Sequence, residues 1–298
     1  MTTLAQMTDI AIAEANAYVR NQDSLTVLTA DLGEGGLSFT VDDASAISRG
    51  TVEIGSELVY VKQVDKTYGT VTVIPSGRGW MATTDRWHPA NTLVRNNPLF
   101  PRSMVMRYIN EIIQSVDLFA VNNYEFEFNG SQFAWQLPTD ALHVTSVTWQ
   151  RPDSTGIWEP IKRWYMDRNY RGDDNGVPRT MKALVLNEAP MPGATVRVQY
   201  LGDPIIMQDS VENVFIDTGL PERAMDVVRY GALWKMLSSV DPGKVNAVSV
   251  NADAIDTKND SGKATNVARY MYQMYQIRLG EEKQRQSDEF QPTINYTR

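Results

Sequence analysis

The chain of 298 residues contains no cysteine, which excludes disulfides, thiolate metal sites and thiol catalysis at once. Its stability therefore rests on packing or on assembly. Histidine is almost as scarce: His88 and His143 are the only two, and neither lies in a Glu-x-x-His or nucleophile-elbow sequence. A His-based triad or zinc site would need one of them, so both read as structural. No run approaches the ~18 consecutive apolar residues of a membrane span, and the opening MTTLAQMTDIAIAEA carries acid where a secretion signal carries base. No membrane association is expected. Basic excess is also missing, because the formal charge of -8 opposes the phosphate neutralisation on which nonspecific DNA affinity depends.

What is present suffices for a folded protein, with 42% hydrophobic and 21% charged residues over a length that accommodates two domains. Apolar spacing predicts a first helix from Leu4 to about Val19. Strands follow at Leu25–Leu28 and Leu37–Val41. Alternation through Ile54, Leu58, Tyr60, Val59, Val61 and Val64, then Thr70, Val71 and Val73 after a turn at Tyr68-Gly69, predicts two paired strands. Pro101 suits the first position of a central helix running to Ser115, with Met104, Met106, Tyr108, Ile109, Ile112 and Ile113 as its apolar face.

From Tyr124 to Tyr200, six short strands with turns at Asn129-Gly130, Pro138–Asp140, Gly172–Gly176 and Met191–Gly193 predict a sandwich or barrel. Leu220-Pro221 opens a helix to Ser238, and a second helix spans Lys263 to Gln284; joined by the polar stretch Asn246–Gly262, the two predict an antiparallel hairpin. The end alternates Phe290, Pro292, Ile294 and Tyr296, a strand pattern without a partner. It suits either a frayed tail or an edge strand added to a neighbour.

The fold class expected is therefore α+β: a helical frame of an N-terminal helix, a central helix and a C-terminal helical hairpin, carrying two antiparallel β modules and an extended C-terminal tail. The expected domains are 1–22 with 98–118 and 206–285 for the frame, 23–97 for a small β module, 119–205 for a sandwich or barrel-like module, and 286–298 for the tail.

Three motifs suggest chemistry, and each has a plainer explanation. Ser261–Thr265 approaches a phosphate loop but has Thr257 where the first Gly belongs and Ala264 at the magnesium position. Asp173-Asp174-Asn175-Gly176 lacks the spacing and terminal Glu of a calcium loop. Glu125 and Glu127 share one strand face, and two carboxyls ~5 to 9 Å apart are what glycoside hydrolysis requires, yet same-strand neighbours meet that spacing by chance and a solvated strand face is the plainer explanation. Trp135, Trp149, Trp158 and Trp164 are able to stack on sugars, though core or interface roles are commoner for tryptophan. No cofactor and no enzymatic activity are expected.

The run from Gly50 to Val94 resembles a module of tailed-bacteriophage virion proteins: a strand of type I-G-x-E-x-V-x-V, a second strand ending in x-R-G, then Thr, His and a closing apolar pair. The matching residues are Ile54, Gly55, Glu57, Val59, Val61, Arg78, Gly79, Thr83 or Thr84, and His88, with Leu93-Val94 as the pair. The chain departs at Trp80 and Met81, where a Gly-Thr step is usual, and at Asn91, where Gly is usual. In outline, the whole element order resembles the head-to-tail adaptor, or connector, proteins of siphoviruses.

The resemblance implies a homo-oligomeric ring, a dodecamer in that family, at the head-to-tail junction of the virion. It implies a portal protein above, a stopper or tail-terminator protein below, and genomic DNA passing through the lumen without sequence-specific binding. It also implies a portal-binding arm over the tail, anchored by Phe290, Pro292, Ile294, Tyr296 and Arg298, with Arg278, Lys283 and Arg285 facing acidic portal surface. The alternative is a peripheral tail or baseplate protein whose second β module binds carbohydrate.

Overall fold

The computed structural model describes residues 2–19, 23–152, 156–174, 177–208, 211–240 and 260–290, with side chains left aside at 173–174, 177–179 and 260–266. It is a mixed α+β protein, with four α-helices and three antiparallel sheets among the described residues. The chain divides into two compact units, one of residues 2–112 and 225–279, the other of residues 113–224 and 280–298.

In the first unit, α1 (Leu4–Ala17) starts at Thr3, whose hydroxyl accepts the Gln6 N–H while the Gln6 side chain accepts the Thr3 N–H. This reciprocal cap satisfies two donors that a helix start leaves open. Next come β1 (Ser24–Val27), β2 (Ser38–Thr40), β3 (Gly50–Ile54), β4 (Glu57–Asp65), β5 (Thr70–Val73) and β6 (Leu93–Asn96). They form one sheet in the order β1-β6-β3-β4-β5-β2. Its outer strands meet again through the Leu28–Val41 bridge, flanked by Thr29 N–H to Thr40 O at 3.0 Å and Asp42 N–H to Val27 O at 3.1 Å. The sheet thus closes into a small barrel filled by Leu28, Phe39, Val52, Ile54, Val59, Val61, Val71, Val73 and Val94.

Two features of this barrel differ from the linear reading. The stretch Ile54 to Val61 is not one strand but a hairpin, because Gly55 takes φ +61° and Ile54 pairs with Glu57 across a two-residue turn. The ladder of β4 with β5 also skips Lys62, so Val59, Val61 and Val64 all reach the core despite their odd spacing.

The helices of this unit are α1, α2 (Arg102–Ser115), which begins in it, α3 (Met225–Ser238) and the N-terminal two thirds of α4 (Asp260–Glu289). Their apolar stripes are buried at Met7, Ala11, Ala15, Val105, Ile109, Val228, Leu233, Met236, Met271 and Tyr275. Gly231 of α3 lies so close to α2 that a Cβ there would sit 2.8 Å from Ile112 Cγ2. Trp234 stacks on Tyr275, and Asp226 lies 3.8 Å from Arg278, so the facing stretches of α3 and α4 run in opposite directions. The expected helix end at Gln284 is corrected to Glu289: Gln286–Glu289, assigned to an extended tail, are helical.

In the second unit, β7 (Ala120–Glu127), β9 (His143–Gln150), β10 (Glu159–Pro160) and β13 (Thr195–Gly202) make a sheet in the order β10-β9-β13-β7. A second sheet, β11-β12-β8, joins β8 (Ala134–Gln136), β11 (Trp164–Asp174) and β12 (Val177–Leu186). Phe128, Leu137, Val144, Val147, Leu184, Leu186, Val196 and Val198 form one core between the two sheets, so of the two forms that the strand spacing allowed, sandwich or barrel, this unit is a two-sheet sandwich, with seven strands among the described residues where six were expected. Gly172, placed in a turn by sequence, instead continues the ladder, which runs to Asp174 opposite Val177.

Candidate functional site

Four of the motif residues, Glu57, Arg78, Gly79 and His88, spread over more than thirty positions, meet at one buried carboxylate. Glu57 opens β4 just after the Gly55 turn, and its side chain has no solvent exposure. Its Oε1 accepts Arg78 Nε at 2.7 Å and the Gly79 N–H at 2.8 Å. Its Oε2 accepts Arg78 Nη2 at 2.9 Å, the Arg86 N–H at 3.2 Å and His88 Nε2 at 2.8 Å. Five donors thus surround one ion. Burial alone would raise its pKa, but the bonds from His88, Arg78 and the two backbone amides outweigh burial and hold Glu57 down at about 2. An ionised carboxylate only accepts, so His88 donates from Nε2.

Arg78 is equally committed. Beyond Glu57 it donates to the carbonyls of Gly33 at 2.9 Å, Gly36 at 3.1 Å and Arg86 at 2.7 Å, and Nη2 lies 2.6 Å from Asp85 Oδ1. Asp85 Oδ2 in turn accepts the Gly35 N–H at 2.9 Å. The planar guanidinium therefore ties the 33–36 loop, the 79–86 loop and the β3–β4 hairpin to one point, a geometry that the ammonium of lysine does not reproduce. His88 adds a fourth tie through paired backbone bonds with Leu32 at 2.8 and 2.9 Å. Thr83 completes the set, its Oγ1 accepting the Leu58 N–H at 3.0 Å and donating to Trp80 O at 2.9 Å. Asn91, standing where the module usually has Gly, adopts φ +66°, a conformation that asparagine tolerates better than most side chains.

A second buried carboxylate joins this barrel to α2. Glu53 stands opposite Arg95 in the β3–β6 ladder and accepts Arg95 Nη1 at 2.9 Å; its other oxygen accepts the Arg102 N–H, the first of α2, at 2.5 Å. Arg95 Nη2 reaches Asp23 Oδ2 at 2.6 Å, and Asp23 Oδ1 accepts the Leu99 N–H at 3.1 Å. With fewer donors than Glu57, Glu53 is dominated by burial, which pushes its carboxyl up to about 7 against the pull of Arg95. Sequence reasoning missed this pair. The signal was a charge inside the apolar run Val52-Glu53-Ile54 and another beside Val94, and only the strand register shows that they face each other.

Above the Glu57 staple, the 79–86 loop and the first turns of α2 enclose a groove of 480 Å³, lined by Leu58, Met81, Arg86, Met104, Met106 and Arg107 among others. Trp80 packs on Tyr60 with ring centroids 4.9 Å apart, and Met81 then turns outward at φ +55° and is 73% exposed.

The other candidates disperse. Of the portal-binding set, Phe290 is half-buried just past α4, its N–H donating to Gln286 O at 2.9 Å, while Pro292, Ile294, Tyr296 and Arg298 lie outside the described residues. Of the three cations assigned to acidic portal surface, Lys283 pairs with Asp117 at 2.9 Å, Arg285 lies 3.6 Å from Glu282 and Arg278 lies 3.8 Å from Asp226. Glu125 accepts Arg197 Nε at 2.6 Å, so one carboxylate of the Glu125 and Glu127 pair is already engaged. Trp135 stacks on Phe126, Trp149 and Trp164 pack against the sandwich core, and Trp158 lies under the Arg197 guanidinium at 3.8 Å. The stretch Ser261–Thr265 is helical, not a phosphate loop. His143 is exposed at the start of β9.

No family model matches the chain, and no curated protein matches it. No helix among the described residues is long and apolar enough to cross a membrane.

Proposed function

We propose that this chain is a structural virion protein of a tailed bacteriophage, the adaptor ring between the portal of the DNA-filled head and the stopper or tail terminator. The observation that carries this reading is the convergence of Arg78, Gly79 and His88 on the buried Glu57 carboxylate, with Thr83 tying the same loop to the Leu58 N–H. Those residues are among the ones that carry the resemblance. Their arrangement leaves no donor or acceptor of Glu57 free for a substrate, which suits a folding staple of a building block.

In this reading the helices form a frame carrying the barrel and the sandwich, and the ring is a dodecamer. A closed ring limits runaway assembly, and the net charge of -8 favours passage of DNA over its capture. Phe290 and the residues after it, Pro292, Ile294, Tyr296 and Arg298, form the arm that enters the portal.

The test is a truncation after Glu289, which leaves the whole of α4 in place. Unchanged circular dichroism and particle mass show that the ring survives. Assembly with this variant is expected to yield filled heads without attached tails. Normal joining by the intact but truncated chain rejects the portal-arm assignment, and absence of the protein from the neck in cryo-electron microscopy of wild-type particles rejects the adaptor reading.

A further inference from the structure

The 79–86 groove combines a strained backbone with a basic rim. The strain is held in place. Met81 and Ala82 both adopt left-handed backbone, at φ +55° and +63°, although neither is glycine. Residues other than Gly, Asn and Asp pay ~1–2 kcal/mol each for that conformation. The loop has no freedom to relax. Glu57 grips it at the Gly79 and Arg86 amides, Trp80 is seated on Tyr60, and Thr83 is bonded to the Leu58 N–H. The consequence is a long, flexible side chain presented over Leu58, Met104 and Met106 instead of being withdrawn into the core. Methionine-lined surfaces adapt to varied apolar side chains.

The second feature is the charge on the rim. Arg86 uses its backbone N–H and carbonyl within the staple, but its guanidinium has no partner among the described residues. Arg107 makes a long 3.5 Å contact with Glu111 Oε1 and lies 5.8 Å from the Tyr108 ring centroid, while Lys235 pairs with Glu111 Oε2 at 2.7 Å, which leaves most donors of the exposed Arg107 guanidinium to solvent. Among the described residues, no carboxylate lines the groove. On a chain of net charge -8, this is an apolar cleft with two available guanidinium groups.

We propose that this groove docks an acidic amphipathic peptide segment of a partner protein, with an apolar side chain among Met81, Met104 and Met106 and carboxylates on Arg86 and Arg107. Arginine pairs with carboxylates bidentately, and the aliphatic stems of both arginines extend the apolar wall. The proposal is independent of whether the chain forms an adaptor ring.

The experiment uses the full chain as target for a ribosome-displayed library of random twelve-residue peptides, counter-selected on the R86E/R107E variant. Both arginines are exposed at the surface, and hydrogen exchange over 50–96 checks that the barrel is unchanged in the variant. Enriched peptides are expected to carry net negative charge with at least one large apolar residue. The strongest, added to protein labelled with ¹³C-methyl methionine, is expected to shift Met81, Met104 and Met106, assigned by single Met→Leu variants. Its affinity is expected to fall at least tenfold in R86E/R107E. No enrichment, enrichment without acidic bias, or shifts confined to other methionines overturns the proposal. Binding of a single-stranded oligothymidylate that is lost on charge reversal, without peptide enrichment, also overturns it and assigns the two arginines to phosphate.

Discussion

Replacing Glu57 with Gln keeps the shape of the side chain and removes only its charge, so it isolates the ion at the centre of the barrel staple. The folded carboxyl sits at about 2 against an ordinary value of 4.5. At ~1.36 kcal/mol per pH unit, that difference is worth about 3 kcal/mol at neutral pH. Leaving the Arg78 guanidinium buried beside a neutral amide adds to the loss, and breaking one side of a buried pair typically costs ~3–5 kcal/mol. Native-state hydrogen exchange of peptides from 50–96 is the suitable assay, because a chain of two compact units gives no single unfolding energy. The expected loss for Glu57→Gln at pH 7 is ~3–5 kcal/mol in the opening energy of β3, β4 and β6. The sign with pH is also fixed. A depressed carboxyl stabilises above its unfolded value of 4.5, and that stability is lost as pH falls through about 2. Between pH 5 and pH 2 the wild type should therefore converge on the variant. A variant within about 1 kcal/mol of wild type at pH 7, or two curves that stay parallel down to pH 2, would refute the assignment of an ionised, five-donor carboxylate.

Glu53 should show the opposite slope: with its carboxyl raised to about 7, its contribution is complete below 4.5 and fades as pH rises through 7, a change that Glu53→Gln abolishes in hydrogen exchange of β3, β6 and the first turn of α2. Arg78→Lys cannot reproduce the five donations to Glu57, Gly33, Gly36 and Arg86, and should cost ~2–4 kcal/mol in the same barrel peptides while leaving the sandwich unchanged. Gln286→Ala removes both side-chain bonds to the backbone of Phe119, each 2.9 Å long, and should expose the Phe119 amide to exchange with a loss of ~1–3 kcal/mol.

Local rules carried most of the fold. The apolar period of α1 and α2, Pro101 before α2, and the strands β7, β8, β9 and β13 lie where short-range pattern placed them, within a few residues, whereas the strand expected at 161–165 is replaced by the short β10 and the long β11, and β12 begins six residues before the expected strand. The misses have physical causes. The β3–β4 hairpin hid because its turn, Gly55-Ser56, interrupts an apolar alternation that reads equally well as one strand. The skipped Lys62 hid because a bulge changes phase without changing composition. The helix α4 runs past Gln284 because Gln286 bonds both backbone groups of Phe119, while Arg223 bonds Glu282 at 2.6 Å and also pairs with Glu289. Those anchors come from residues more than fifty positions away, so no window of sequence shows them.

The site divides along the same line. Glu57, Arg78, Gly79, Thr83 and His88 were legible as a set only through a resemblance, and a linear motif says nothing about why a glutamate, an arginine and a histidine belong together. The geometry supplies the reason: a barrel this small has little apolar volume with which to fix three loops, and one ion with five donors fixes them by direction as well as by energy. The same staple explains why Met81 and Ala82 stay in a backbone conformation that each would leave if released. If the strain serves the groove, then Met81→Gly should stabilise the barrel by ~1 kcal/mol while weakening peptide binding, a trade that pure packing would not produce. A variant that gains stability and binds selected peptides with unchanged affinity would separate the strained loop from the groove and leave the left-handed pair as a by-product of the Glu57 contacts.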